Sequence, residues 1–175
     1  MAQDNGRSGR IGVLRSRGEY HLILTRPVPA DAFLFHLDGM LTDVPTRYSL
    51  QVGDATHVDL PEGYPAEAIL DRFAWRFMNH SCEPSVVVRD RAVFALKPME
   101  SWQEITFHYN STEYEVAEPF DCHCGSPHCD GRIQGFRFLS ESGRELLRPL
   151  LAEHLATRLS QPAETSAGPR VPICR

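Results

Sequence analysis

The chain has 175 residues, of which 42% are hydrophobic and 23% charged, enough apolar content for one packed domain and too much for a wholly disordered chain. Its formal net charge is -5, which excludes the global basic field that drives sequence-independent binding to phosphates, and no apolar run approaches the roughly 20 residues of a membrane span. The opening MAQDNGRSGR has no apolar stretch behind it, so no secretory signal is expected, and the expectation is an intracellular protein, cytoplasmic if bacterial and nuclear if eukaryotic or an effector, with neither membrane nor nucleic acid as a direct partner.

The first ten residues and the tail at 161–175 lack periodicity and read as a flexible N-terminus and a disordered end. From Ile11 to Leu60 the runs IGVLRS, YHLILTR, AFLFHL, RYSLQV and THVDL are broken by RG, PVPAD, DG and VGD, which predicts a β-rich half. PAEAILDRFAWRF then sets Ala66, Ile69, Leu70, Phe73 and Phe77 at helical spacing behind a proline suited to a first turn, predicting a short helix. VVVRD, AVFALK and EITFHY resume strand character. Beyond residue 138, SESGRELLRPLLAEHLATRLS repeats Leu146, Leu147, Leu150, Leu151 and Leu155 around Pro149, predicting one kinked or broken amphipathic helix over 138–160.

Between the last strand and that helix lies FDCHCGSPHCDG, residues 120–131, with Cys122, Cys124 and Cys129. In a reducing compartment clustered cysteines point to metal more often than to disulfides, and three exposed free thiols in one loop would be an oxidation liability. A structural zinc site closes with four ligands, so one is missing. His123 and His128 each adjoin a cysteine ligand, where a side chain generally points away from the metal, which makes them weaker candidates. Recruiting Cys174 from the tail would order about ten residues at roughly 1 to 2 kcal/mol each. Elimination leaves Cys82, in RFMNHSCEPS, so the expected set is Cys82, Cys122, Cys124 and Cys129 around one zinc ion.

RFMNHSCEPS, EITFHY and CHCGSPHCDG, in that order and spacing, resemble the SET-domain protein-lysine methyltransferases with a post-SET zinc segment. The resemblance covers residues 72–136 well and Ile11 to Leu60 weakly. It implies a mainly β, β-clip-like fold of small curled sheets with few helices and a knot-like threading of the NHSC and EITFHY segments. The SET domain would span 11–119, the post-SET zinc segment 120–137 and the C-terminal helix 138–160. It also implies S-adenosyl-L-methionine as cofactor and a protein or peptide presenting a lysine as substrate, which the acidic balance favours if that partner is basic.

By the same resemblance Tyr109 is the catalytic tyrosine and Phe107 lines the substrate channel at a position where the family has Phe or Tyr. Asn79 and His80 match the pair that holds the cofactor, Arg76 a basic residue close by, and Phe120 an aromatic that stacks on adenine. The thiolates of the post-SET loop are completed in the family by the NHSC cysteine, here Cys82. The sequence departs from the pattern in three places. The GxG loop falls near SRGEYHLIL, where Gly18 alone remains and Tyr20 and His21 are left to contact the cofactor; His108 replaces an Asp; and Trp102 stands where a turn glycine is common. Two other readings are a methyltransferase of a non-histone protein or small amine, and a cofactor-binding or zinc-stapled interaction module without turnover.

Overall fold

The computed structural model describes residues 9–159. Of the expected flexible ends, residues 1–8 and the whole tail at 161–175, Cys174 among them, lie outside the described residues, as do the side chains at 66–68, including Ala66 of the expected helix face.

Strands β1 (Ile11–Ser16) and β2 (Glu19–Leu24) form an antiparallel hairpin. The turn between them uses Arg17 and Gly18 in left-handed conformations, φ 52° and 91°, the backbone that matches the twist of a two-residue hairpin. β3 (Phe33–His36) pairs with β9 (Ala92–Ala95), which also pairs with β8 (Val86–Arg89). A second three-stranded antiparallel sheet has the order β4 (Met40–Thr42), β6 (Thr56–Asp59), β5 (Leu50–Gly53). Two minimal ladders complete the set: β7 (Asn79–His80) parallel to β10 (Thr106–Phe107), and β11 (Phe120–Asp121) antiparallel to β12 (Arg132–Ile133). The chain is thus a mainly β assembly of small sheets with few helices, as expected.

The core gathers one face of each sheet. Leu22 and Leu24 from β2, Leu34 from β3, Val58 from β6, Val86 from β8 and Val93 from β9 are buried with Met99 and Ile105 between them. Trp75 closes one side, its indole N–H donating to the carbonyl of Asp38 at 2.8 Å, so the polar edge of a large buried ring is satisfied.

Several elements differ from the sequence reading. β4 was not expected, because a three-residue edge strand with Met40 and Leu41 exposed shows no alternation long enough to register. Most of RYSL is a turn, closed by Thr46 and Ser49 side chains on the intervening main chain; hydroxyls bonding nearby backbone compete with a strand ladder. The expected helix is α1 (Ala66–Arg72) followed by a 3-10 turn over Ala74–Phe77, with Phe73 buried and Leu70 exposed. The C-terminal region takes the broken form of the expected helix: α2 (Glu141–Leu147), a 3-10 turn over Arg148–Leu150 and α3 (Glu153–Ala156). Pro149 cannot donate into a continuing helix. Leu147 and Leu155 are buried, while Leu146, expected on the same face, is exposed. Trp102 has φ 70°, the left-handed backbone that makes glycine the easier residue there.

Candidate active site

The parallel pair β7–β10 sets Asn79 opposite Thr106 and His80 opposite Phe107. Tyr109 follows two residues later, where the chain leaves the strand for a 3-10 turn over Tyr109–Ser111. Its phenol donates to the main-chain carbonyl of Met78 at 3.0 Å, and its N–H donates to Nδ1 of His80 at 3.3 Å. Because Nδ1 accepts, the His80 ring proton sits on Nε2, which lies 3.2 Å from Sγ of Cys82. Burial, with His108 as the second cause, takes the His80 pKa down to about 3, so the ring is neutral. Burial also pushes the Tyr109 phenol up to about 12, aided by Glu113, and Tyr109 is a protonated donor at physiological pH.

Around these two residues is a cluster of rings. His80 meets Tyr109 edge-on at 5.3 Å between centroids and Phe120 at 5.8 Å; Tyr109 lies 4.7 Å from Phe107 and 5.9 Å from Phe120. The Phe107–Tyr109 pair is tilted and the other three are edge-to-face, which at these separations is favourable geometry for aromatic pairs. Four residues singled out from the sequence, His80, Phe107, Tyr109 and Phe120, therefore come together from four elements.

Asn79 reaches a different group. Its Nδ2 donates to the carbonyl of Tyr20 at 3.0 Å and to Oε1 of Glu104 at 2.8 Å, and His21 Nδ1 donates to the same Glu104 oxygen at 2.8 Å. Tyr20 and His21 of β2 are thus drawn to Asn79, with the Tyr20 ring 5.0 Å from Phe77. The sequence reading missed Glu104. Glu104 lies two residues before Thr106, the strand partner of Asn79, and it is that pairing, not a local pattern, that brings it to the Asn79 amide. Arg76 belongs elsewhere, its guanidinium lying over the Tyr48 ring at 4.5 Å and 3.9 Å from the Asp59 carboxylate.

The four expected cysteines converge. Sulfurs of Cys82, Cys122, Cys124 and Cys129 all lie within 4.8 Å of one another, with Cys82 and Cys122 4.0 Å apart. The β11–β12 ladder closes the neck of the loop. Gly125 and Gly131 turn inside it at φ 74° and 72°, and N–H groups of Asp130 and Gly131 point at the sulfurs of Cys82 and Cys129. Burial pushes the Cys82 thiol up, and a divalent ion among the four sulfurs would supply the positive charge that its thiolate form requires. The donor set fits zinc. His80, Cys82 and His108 form a second close trio, but the His80 tautomer just described leaves its Nε2 as a donor to the thiolate, not a ligand. His123 and His128 belong to neither group.

A partly buried polar chain that sequence reasoning did not find ties this loop to the tyrosine turn. His108 Nε2 faces Asp130 at 3.4 Å, Asp130 accepts from Asn110 Nδ2 at 2.8 Å, and Asn110 Oδ1 accepts the Gly135 N–H at 2.9 Å. In the sequence, Asp130–Gly131 reads only as turn chemistry.

A sequence model described as the SET domain matches residues 19–110, and the chain belongs to the SET-domain family. Among its relatives is the methyltransferase flvH of Aspergillus flavus, 37% identical over 87 residues that make up 46% of this chain and 48% of that protein. The H3 lysine-36 specific histone-lysine N-methyltransferase of Gibberella zeae is 40% identical over 68 residues, 34% of this chain and 7% of that one. Among solved structures, KRYPTONITE in complex with mCHG DNA and SAH aligns over 70% of this chain and 28% of its own, at 25% identity and a TM-score of 0.53. Arabidopsis thaliana SUVH6 in complex with SAM shares the fold, with 16% identity and a TM-score of 0.52 over 70% of this chain and 32% of its own. The chain thus spans about half, or much less, of the relatives it matches. Among the described residues no helix is long and apolar enough to cross a membrane.

Proposed function

We propose that this chain is an S-adenosylmethionine-dependent methyltransferase acting on the lysine ε-amine of a basic protein or peptide, with one structural zinc ion held by Cys82, Cys122, Cys124 and Cys129. The observation that carries the reading is the placement of Tyr109: its hydroxyl is fixed on Met78 and its main chain on His80, inside a ring of aromatics joined to the four sulfurs through Cys82. The residues fit the cofactor. His80 and Phe120 offer apolar faces for an adenine, and Asn79 offers an amide one residue away. When bound, the cofactor supplies a methyl group already activated on a sulfonium.

The chain's own residues then bind, orient and exclude water. A free lysine amine has a pKa of about 10.4, and holding it neutral at pH 7 costs about 4.6 kcal/mol. Burial among apolar rings shifts such a group by up to roughly 3 to 5 units, so desolvation beside Phe107 and Tyr109 suffices without a dedicated base. Tyr109, protonated and anchored, orients the amine for in-line attack. Phe107 has one hydroxyl fewer than a tyrosine there, which leaves room for higher methylation states.

The names of the fungal and plant relatives, histone-lysine N-methyltransferases, support a histone-like substrate and action inside the cell, in the nucleus where there is one. The test is transfer of labelled methyl from the cofactor to histone and whole-lysate panels. Label on a lysine is the expected result, and the labelled band separates histone from non-histone substrates. Cofactor binding with transfer to nothing would favour a binding module instead. Lys97 is the single lysine of the chain, so self-labelling elsewhere would overturn the amine specificity.

A further inference from the structure

We infer that the side chains of His21 and Glu104 read the amino-acid end of the cofactor, replacing by side-chain recognition what a glycine-rich loop supplies through its main chain; this rests on the methyltransferase reading above. Glu104 Oε1 is occupied by His21 Nδ1–H and Asn79 Nδ2–H. Its second oxygen, the side-chain carbonyl of Asn79 and Nε2 of His21 have no hydrogen-bond partner among the described residues. The two side chains of the pair are 23% and 36% exposed, partly sheltered yet open to a ligand. The cluster therefore presents three unused acceptors, since the ring proton of His21 is on Nδ1 and Nε2 carries a lone pair, and the complement is the three-donor ammonium at the amino-acid end of the cofactor.

The pair is not needed to join the segments it bridges. Main-chain contacts already do so: Ile23 and Glu104 form an antiparallel bridge, the Ile105 N–H donates to Leu22 at 2.7 Å and the Leu24 N–H to Gln103 at 3.0 Å. Asn79 orients the carboxylate and adjoins His80, a rise of only about 3.3 Å along a strand. A ligand with its ring system among the aromatics thus has its polar tail within reach of Glu104 and His21.

The test is calorimetric binding of S-adenosylhomocysteine and 5′-deoxy-5′-methylthioadenosine to the full chain. Both ligands are neutral at sulfur, and only the first has the amino-acid end. The native protein should prefer S-adenosylhomocysteine strongly. Glu104→Gln, which keeps the shape and one oxygen, should weaken S-adenosylhomocysteine at least tenfold and leave methylthioadenosine unchanged, so the preference narrows. His21→Leu should narrow it as well, and His21→Gln should retain part of it by keeping a polar amide. An unchanged preference in folded Glu104→Gln and His21→Leu, both checked by thermal melting, overturns this inference alone. If neither ligand binds the native chain, the methyltransferase reading falls with it.

Discussion

Tyr109 is held at both ends, and the two bonds do different things. The hydroxyl bond to Met78 fixes where the phenol points; the main-chain bond to His80 fixes the turn that carries it. Tyr109→Phe removes the first and keeps the second. Cofactor affinity should stay within a factor of two or so, while methyl transfer falls about a hundredfold, the scale of loss when a reacting group is misplaced by an ångström. Single-turnover assays with labelled cofactor measure both, and unchanged transfer would refute the role given to this tyrosine. At this scale the sequence was most informative where a motif names a residue directly: His80, Phe107, Tyr109 and the cysteines sit together as expected. Glu104 escaped because its importance depends on a strand pairing between residues 27 apart in the chain. Arg76 carried a positive charge into a familiar motif, but its neighbours in space, Tyr48 and Asp59, come from a sheet that no local pattern could have assigned to it.

Among the elements, the turn after Tyr109 is clamped from two directions. From one side, Glu113 accepts the Gln51 N–H of β5 at 2.8 Å and the Thr112 hydroxyl at 3.2 Å, with His57 of β6 3.9 Å from its other oxygen. Burial raises the Glu113 pKa to about 7. The folded state therefore keeps a proton that the unfolded chain releases near 4.5, and the stability this proton contributes is lost as pH rises from about 4.5 through 7, a difference of roughly 3 kcal/mol. His57 and His154, both lowered by burial, act in the opposite sense below about pH 6.5. Comparison with Glu113→Gln isolates the carboxyl: the variant should melt near the native temperature at pH 5 and above it at pH 8, and a pH-independent difference would contradict the assignment. From the other side, α3 docks through Ala152 N–H on Ser111 at 2.9 Å and His154 Nε2 on Thr112 at 2.8 Å, pinned by fully buried Leu155. Leu155→Ala should cost about 2 to 5 kcal/mol in denaturant unfolding. The leucine repeat made this helix visible in sequence, but its division into three pieces follows from Pro149 and from the shape of the surface it meets.

For the whole molecule, the thiolate group joins residue 82 to residues 122–129, and the zinc reading makes that join a condition of the site. Native protein should carry one zinc equivalent by elemental analysis, Cys82→Ser well under half, and chelation should abolish cofactor binding together with the metal. A full equivalent in Cys82→Ser would remove Cys82 from the set. The cysteine spacing and the elimination of the other candidates made this connection legible without a structure. The polar chain of His108, Asp130 and Asn110 beside it was not, since each residue alone reads as a turn or a substitution. The order of these segments along the chain also bears on synthesis. The β8–β9 hairpin, local in sequence, lies between the two strands of the β7–β10 pair and can form as soon as it is made. Asn79 and His80 must wait for Thr106 and Phe107, and Cys82 must wait for Cys122, about forty residues later, or roughly 2 to 8 seconds at ordinary elongation rates. For that interval the nascent chain carries an unpartnered thiol in the middle of what will become the candidate site, so an oxidant or a competing metal reaches Cys82 most easily before the polypeptide is finished.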